Sequence, residues 1–543
     1  MAAPMPTCWT APHDARPTGH ASLGTTASKG APMSITETST TGQASAVSSA
    51  TQSASPGETF DVLNPGSGEV VNTYPAAGPD EVRAVVERAR LAAAWWRAQG
   101  TAGRTRVLKR WRSHLVNHAD HLIDVVHNET GKPRGDAQLE VVLAVEHLAW
   151  ATKHAPKVMK RRSVFPGLLM SNMAATLEYQ PLGVIGVIGP WNYPVFTPMG
   201  SIAYALAAGN AVVFKPSEYT PGVGHWLSNS FAAACAQPVL QCVTGMGATG
   251  AALVDAKVDK IAFTGSTATG KRIMAAAAEH LTPVLMECGG KDAMLVDADA
   301  DLEAAADAAT WGAMSNAGQT CVGVERVYVH GDVYDEFVDR VVDKASALTV
   351  GSGDDAQIGP ITMPKQIGII AGHISDALDK GGRALLGGPG AVGERVVGPT
   401  VLVDVPDDSL AMTEETFGPT IVITRVASMD EAIERTNNSA FGLGSTVFSK
   451  ARGAELAARI RSGMTAVNSV ISFAAIAALP FGGIGDSGFG RIHGADGIRE
   501  FTRAKSVARQ RFAAPLALTS FDRTKKTDEL VGKAIKLLHG RAG

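Results

Sequence analysis

Cysteine is scarce in this 543-residue sequence: there are five, placed singly at Cys8, Cys235, Cys242, Cys288 and Cys321. An odd, scattered set excludes a disulfide framework and predicts a reducing, cytoplasmic setting. No cysteine–histidine cluster has the spacing of a zinc site, so no metal is expected. Long apolar runs are also missing. The nearest, Ile202 to Phe214, falls short of the roughly 18 residues of a membrane span and is broken by Gly209 and Asn210. The first residues lack the apolar core of a secretory leader. Neither sign of charge dominates, with 49 Lys and Arg against 52 Asp and Glu, which predicts no attraction to nucleic acid. No repeat of about 20–50 residues is found.

What is present is ordinary for a large globular chain. Hydrophobic residues make up 45% and glycine contributes 58 residues, enough for an extensive core with many tight turns. Residues 1–55 are rich in Ala, Ser, Thr, Pro and Gly with no apolar period. They read as a disordered tail, or as sequence preceding a true start at Met33. Order is expected near Phe60, where FDVLNPGSGEVV has the pattern of a hairpin. Helical periods follow over Asp80–Gln99 and Ala102–Glu129. From Leu182 short, wholly apolar runs alternate with helical stretches: GVIGVIGP, AVVFKP, KIAFTGS and VLMECGG. After Cys321 come RVYVHG, a helix from Tyr334 to Leu348, TVLVDV and TIVITRV. Such alternation predicts βαβ units and buried parallel sheets. The basic tail 513–543 holds an amphipathic helical period over 523–539. Packing on its own protein is the preferred reading, because Gly532 weakens the helix; docking on a membrane surface is the alternative.

Several short motifs carry chemistry. Cys321, in NAGQTC, is either a small buried hydrophobe or a nucleophile. Polar and flexible neighbours favour the second, and a helix starting after it would lower the thiol pKa. Glu287 ends an apolar run in MECGGK, as a lone core acid or as a general base. Asn192 in GPWNYP follows a buried strand, where its amide can support an oxyanion or simply make a turn. FTGSTATG (263–270) is a strand, a glycine turn and a helix start, which suits a pyrophosphate although it is not the G-x-G-x-x-G fingerprint. In KPSE, Lys215 and Glu218 either grip a ribose or are solvated surface charge.

Together GPWNYP, KPSE, FTGSTATG, ECGGK, NAGQTC, EETFGP and LPFGGIGDSG, in this order, resemble the aldehyde dehydrogenase superfamily from about Phe60 to Phe512. The resemblance implies an α/β fold with a Rossmann-type cofactor domain, an α/β catalytic domain and a small β oligomerisation element. It implies Cys321 as nucleophile, Glu287 as general base and Asn192 as oxyanion-hole amide. It further assigns Lys215, Ser217 and Glu218 to the adenosine ribose side of NAD, Gly265, Ser266 and Gly270 to the pyrophosphate loop, Glu415 and Phe417 to the nicotinamide ribose pocket, and Trp191 and Gly289 to the same cleft. Glu218 favours NAD, with NADP allowed, since a carboxylate repels a 2′-phosphate. Two positions depart from the usual pattern: Cys288 stands where Leu is commoner and reads as core, and Asp292 stands where Asn or Ser is common.

The implied layout is a cofactor domain over 56–157 and 182–289, a catalytic domain over 290–489 and an oligomerisation element over 158–181 and 490–512, forming a homodimer or homotetramer. Succinic semialdehyde oxidisers of this family carry arginines for the distal carboxylate. The positions to inspect, eight after Asn192 and six before Cys321, hold Gly200 and Ser315. The substrate is therefore expected to be a small uncharged apolar aldehyde. Trp191, Tyr193, Phe196, Met199, Trp311, Met314, Phe473 and Ile476 are candidates for its funnel. Rival readings are a succinate-semialdehyde dehydrogenase, a CoA-acylating enzyme, a thiol hydrolase pairing Cys321 with His493, and a silent nucleotide-binding protein on the same fold.

Overall fold

The apolar runs form strands where the alternation places them. A computed structural model describes residues 58–353, 355–513 and 518–540; the tail expected over 1–55 lies outside them. The first sheet has six strands in the spatial order Gly488–Phe489, Val284–Glu287, Lys260–Thr264, Val184–Ile188, Ala211–Lys215 and Leu240–Cys242. All neighbours are parallel except the outermost pair, where Gly488 lies opposite Glu287. Strands Val184–Ile188 and Ala211–Lys215 are buried along their whole length, because helices cover both faces of a parallel sheet. The helix Phe196–Ala208, apolar nearly all round, packs under them against Arg134–Val158.

The second sheet orders seven strands: Arg383–Leu386, Thr400–Val403, Thr420–Val426, Val324–His330, Asp292–Val296, Ser445–Phe448 and Ala466–Val467. Period-2 geometry splits the strand Asp292–Val296 between two cores. Met294 and Val296 enter one, and Ala293 and Leu295 the other. A third, antiparallel sheet joins Thr502–Gln510, Met173–Pro181 and Arg162–Val164. The hairpin near Phe60 pairs Thr59–Leu63 with Val70–Pro75.

Three expectations need correction. The helical period over 102–129 is two helices, Gly100–Asn117 and Ala119–Thr130, because His118 leaves helical geometry at φ −125°. The strand Gly488–Phe489, placed by sequence in the catalytic segment, completes the first sheet beside Glu287. The C-terminal helix exists as Lys525–His539, but none of its residues is buried, so the preferred reading of a helix packed on its own protein is overturned. No helix among the described residues is long and apolar enough to cross a membrane.

Candidate active site

Parallel strands send their C-terminal ends to one edge of the sheet, where such folds place ligands. In the first sheet that edge carries the turn holding Trp191 and Asn192, Lys215, the turn Gly265–Ser266, and Glu287. Cys321 is carried by a segment that leads into the second sheet. The helix Leu302–Met314 ends in a turn where Asn316, Ala317 and Gly318 take left-handed φ of 52°, 55° and 70°. Such backbone is costly for non-glycine residues and persists only when the surroundings hold it. Here the Asn316 amide donates to the Asn192 and Gln319 carbonyls at 3.1 and 3.2 Å. The Gln319 amide donates to the Asn316 carbonyl at 2.9 Å, and its oxygen accepts from the Thr362 N–H at 2.8 Å. A Cβ on Gly318 would lie 2.1 Å from the Gly418 backbone, so only glycine lets these loops touch.

Cys321 is partly buried at the end of this frame. No helix starts after it: the chain turns and enters the strand Val324–His330, so the expected pKa lowering by a helix N-terminus is absent. Instead burial pushes the thiol well up. Glu415, Asp292 and Glu287 push the same way, and the Val322 N–H opposes them. Glu287 is 3% exposed and neither carboxyl oxygen has a hydrogen-bond partner. Burial raises its pKa well above the carboxylate range, against the pull of Arg491 and with a further push from Glu500. Cys321 and Glu287 line one cavity of about 890 Å³, open space at its mouth included. An unpartnered buried carboxyl beside a thiol is the kind of perturbed pair that marks reactive sites.

The Asn192 side chain donates to the Gln319 carbonyl at 2.9 Å, two residues before Cys321, leaving its second N–H for another acceptor. Its loop is braced by a buried ion pair that the sequence reading missed. Lys132 donates to Glu140 at 2.8 Å and to the Asn192 carbonyl at 2.6 Å. The other Glu140 oxygen accepts from the N–H groups of Val195 and Phe196, where a helix begins and a negative charge is favoured. Tyr193 shares a hydrogen bond with Thr320 at 2.9 Å.

The remaining assigned residues divide between two walls. On one, buried Lys215 stands 3.6 Å from Glu218, to which Ser217 also donates at 3.3 Å. Ser266 caps the helix Thr267–Ala278. Gly265 leaves no room for a side chain, since a Cβ would meet the Phe263 ring at 2.6 Å. Gly270 seats that helix on Cys288, whose sulfur is 3.1 Å from the Cβ position. Cys288 itself is buried, as expected of a core residue, and also lines the cavity. On the other wall, Glu415 accepts from the Gly290 N–H at 2.9 Å, and its carboxyl is pushed up to about 8 by burial, then by Glu325. A Cβ on Gly289 would sit 2.3 Å from it. Phe417 meets Trp191 edge-on at 5.4 Å. Glu325, also missed, accepts from the N–H groups of Thr416 and Phe417 and pairs with buried Lys291.

The chemistry of these walls fits a dinucleotide. A capped helix N-terminus at a glycine turn suits a pyrophosphate, and Lys215 with Glu218 suits a ribose. The Trp191–Phe417 edge and Glu415 offer a flat apolar face beside a carboxyl.

Of the expected funnel residues, Tyr193, Phe196 and Trp311 line the cavity. Trp191 packs on Phe417, Met199, Met314 and Phe473 lie buried off it, and Ile476 faces solvent. Leu139, Leu143, Val322, Ile471, Ala474, Phe481 and Ile492 supply the rest of the apolar wall. His493 also lines it, with neither ring nitrogen bonded. Burial and His147, whose ring lies 3.9 Å away, hold it neutral. Among the described residues no hydrogen bond joins it to Cys321, so a preformed thiol–imidazole dyad is absent.

Comparison with known proteins agrees with this geometry. The model of the aldehyde dehydrogenase family matches residues 51–507. The 4,4'-diapolycopene aldehyde oxidase of Methylomonas sp is 37% identical over 462 residues, covering 84% of this chain and 87% of that protein. PnpE, solved from Pseudomonas sp. WBC-3, also has a structure in complex with nicotinamide adenine dinucleotide. That complex aligns at TM-score 0.80 and 32% identity, over 84% of this chain and 95% of that one. The succinate-semialdehyde dehydrogenase of Burkholderia pseudomallei aligns at TM-score 0.79 and 33% identity, over 83% of this chain and 95% of that one. The chain belongs to the aldehyde dehydrogenase family. It is an NAD(P)-dependent aldehyde dehydrogenase.

Proposed function

We propose that this enzyme oxidises uncharged, apolar aldehydes to carboxylic acids through a thiohemiacetal and a thioester on Cys321. One observation carries the substrate class: no Lys or Arg lines the cavity, whereas Asp136, Glu140 and Glu287 do. A substrate carboxylate would enter without a cationic partner, which is costly in a buried site. Gly200 and Ser315 hold no cation where the distal carboxylate of succinic semialdehyde would need one. The Methylomonas relative is named for 4,4'-diapolycopene aldehyde and the Burkholderia pseudomallei neighbour for succinate semialdehyde, so a direct comparison of substrates decides between them.

In this reading Cys321 reacts as the thiolate, its proton passing to solvent. The thiolate adds to the aldehyde carbon, and the second Asn192 N–H with the Cys321 N–H supports the oxyanion. Trp191, Phe417 and Glu415 would hold the nicotinamide end of the cofactor, which supplies the hydride acceptor when bound. Glu287 then activates water to cleave the thioester, which separates this reading from a CoA-acylating one.

The test is NAD reduction with hexanal, benzaldehyde and succinic semialdehyde in parallel. Hexanal or benzaldehyde should be turned over with kcat/KM at least about tenfold above succinic semialdehyde; a preference for the semialdehyde defeats the pocket argument. A requirement for CoA defeats the hydrolytic one.

We further propose NAD as the preferred cofactor, because Glu218 stands beside Lys215 where a 2′-phosphate would lie. Glu218→Thr should shift preference toward NADP by about tenfold, measured as the ratio of the two kcat/KM values. An unchanged ratio removes Glu218 from cofactor choice. The three-part division, with 488–489 moved to the cofactor part, and a cytoplasmic homodimer or homotetramer complete the proposal. The strand Thr502–Gln510 supports the oligomer: it is an exposed sheet edge, a hazard that pairing with another subunit would remove.

A further inference from the structure

Among the described α-helices, Lys525–His539 is set apart by having no buried residue. Its apolar side chains are open: Leu530 is 50% exposed, Ile535 47%, Leu537 79% and Leu538 42%. At about 100° per residue these four, with Val531 and Ala534, fall within a single sector about 160° wide. Lys525, Lys526, Lys533 and Lys536 lie outside that sector, with Lys526 and Lys533 along one border of it. Asp528, at the opposite border, is paired with Arg523 at 2.8 Å. Four lysines against Asp528 and Glu529 leave the helix with a net charge of +2. Phe521, just before the Thr524 cap, is fully exposed. Gly532 lies in the polar sector, so its small size leaves no gap in the apolar stripe.

We propose that this helix docks flat on an anionic phospholipid bilayer and holds the enzyme at the membrane surface. Three arguments select that occupant. The first is length: fifteen residues extend about 22 Å, short of the roughly 30 Å hydrocarbon core, so the helix lies along a membrane rather than across it. The second is the pairing of an apolar stripe with bordering lysines, which matches a surface that is apolar below and negatively charged above. The third is placement. The helix begins fifteen positions after the strand Thr502–Gln510 ends, and none of the residues of its apolar stripe is buried against the described chain. The inference stands on the helix alone and does not depend on the substrate proposed above.

Flotation of the full chain tests it, using vesicles of phosphatidylcholine alone and of phosphatidylcholine mixed with phosphatidylglycerol. The enzyme should float with the mixed vesicles at low salt and not with the neutral ones. The triple variant Lys526→Gln, Lys533→Gln, Lys536→Gln should lose on the order of a hundredfold in partitioning, at about 1 kcal/mol per lysine. The double variant Ile535→Glu, Leu538→Glu should not float at all. Both variants should reduce NAD with a water-soluble aldehyde at the parent rate, which shows that they fold. The proposal is overturned if the parent fails to float, if neutral and anionic vesicles bind it alike, or if either variant floats as the parent does. It is also overturned if the double variant changes only the oligomer size of a parent that ignores vesicles, which would make the face a contact between copies.

Discussion

Cys321→Ala should abolish aldehyde oxidation, with kcat/KM falling by about 10⁴-fold or more, the scale on which loss of a covalent nucleophile is felt. The geometry makes this a clean experiment. The loop that aims Cys321 is held by Asn316, Gln319 and the Gly318–Gly418 contact, and none of these involves the sulfur. The cofactor walls are anchored elsewhere, through Glu325, Lys291 and the capped helix at Ser266. NAD should therefore still quench tryptophan fluorescence in the variant with the parent Kd, Trp191 standing in that cleft. Turnover near the parent rate would overturn the assignment of Cys321, and loss of NAD binding would show that the sulfur supports the cofactor wall.

Glu287→Gln carries the second large effect. Neither carboxyl oxygen has a partner, so the near-isosteric swap removes no hydrogen bond and should leave the fold intact. Removing a general base costs about 10²–10⁴-fold. If Glu287 serves thioester hydrolysis, stopped-flow traces should show a burst of NADH close to the active-site concentration, followed by a steady rate reduced by that factor. A steady rate equal to the parent's contradicts the base role. The pH dependence follows from the same burial. Both groups act deprotonated and both are held up, so the rate of the parent should climb as pH rises above the ordinary carboxylate range. In Glu287→Gln the part of that climb due to the carboxyl should vanish, leaving the thiol's.

Much of the frame was legible because buried parallel strands read as short apolar runs between turn residues. Val184–Ile188, Ala211–Lys215, Lys260–Thr264 and Val284–Glu287 all fall on such runs. The break at His118 was invisible, since the helices on either side keep apolar faces at the same spacing. At the site, the groups proposed to touch ligand sit in compact motifs, whereas the groups that brace them do not. Lys132 lies 60 positions from Asn192 and Glu325 lies 91 from Thr416, and an isolated charge on a helix or strand reads as solvated surface until the fold buries it. The funnel was only half legible for a related reason. Met199, Met314 and Phe473 have the composition of a lining, but nothing local tells which side of a buried element faces a void. The missing helix after Cys321 changes the electrostatic account, leaving a thiol opposed by burial and by three nearby acids.

The contact between Gly318 and Gly418 has a consequence for how such an enzyme diversifies. A side chain on Gly318 strikes the Gly418 backbone, and one on Gly418 strikes Ile370 at 2.4 Å. Neither glycine admits a side chain while its neighbour stays, so drift at these two positions is blocked one mutation at a time. Leu139 and Trp311 at the cavity lining are each 44% exposed and under no such constraint. Selection is thus free to retune which aldehydes enter by changing the rim, while the frame that aims the sulfur is inherited unchanged.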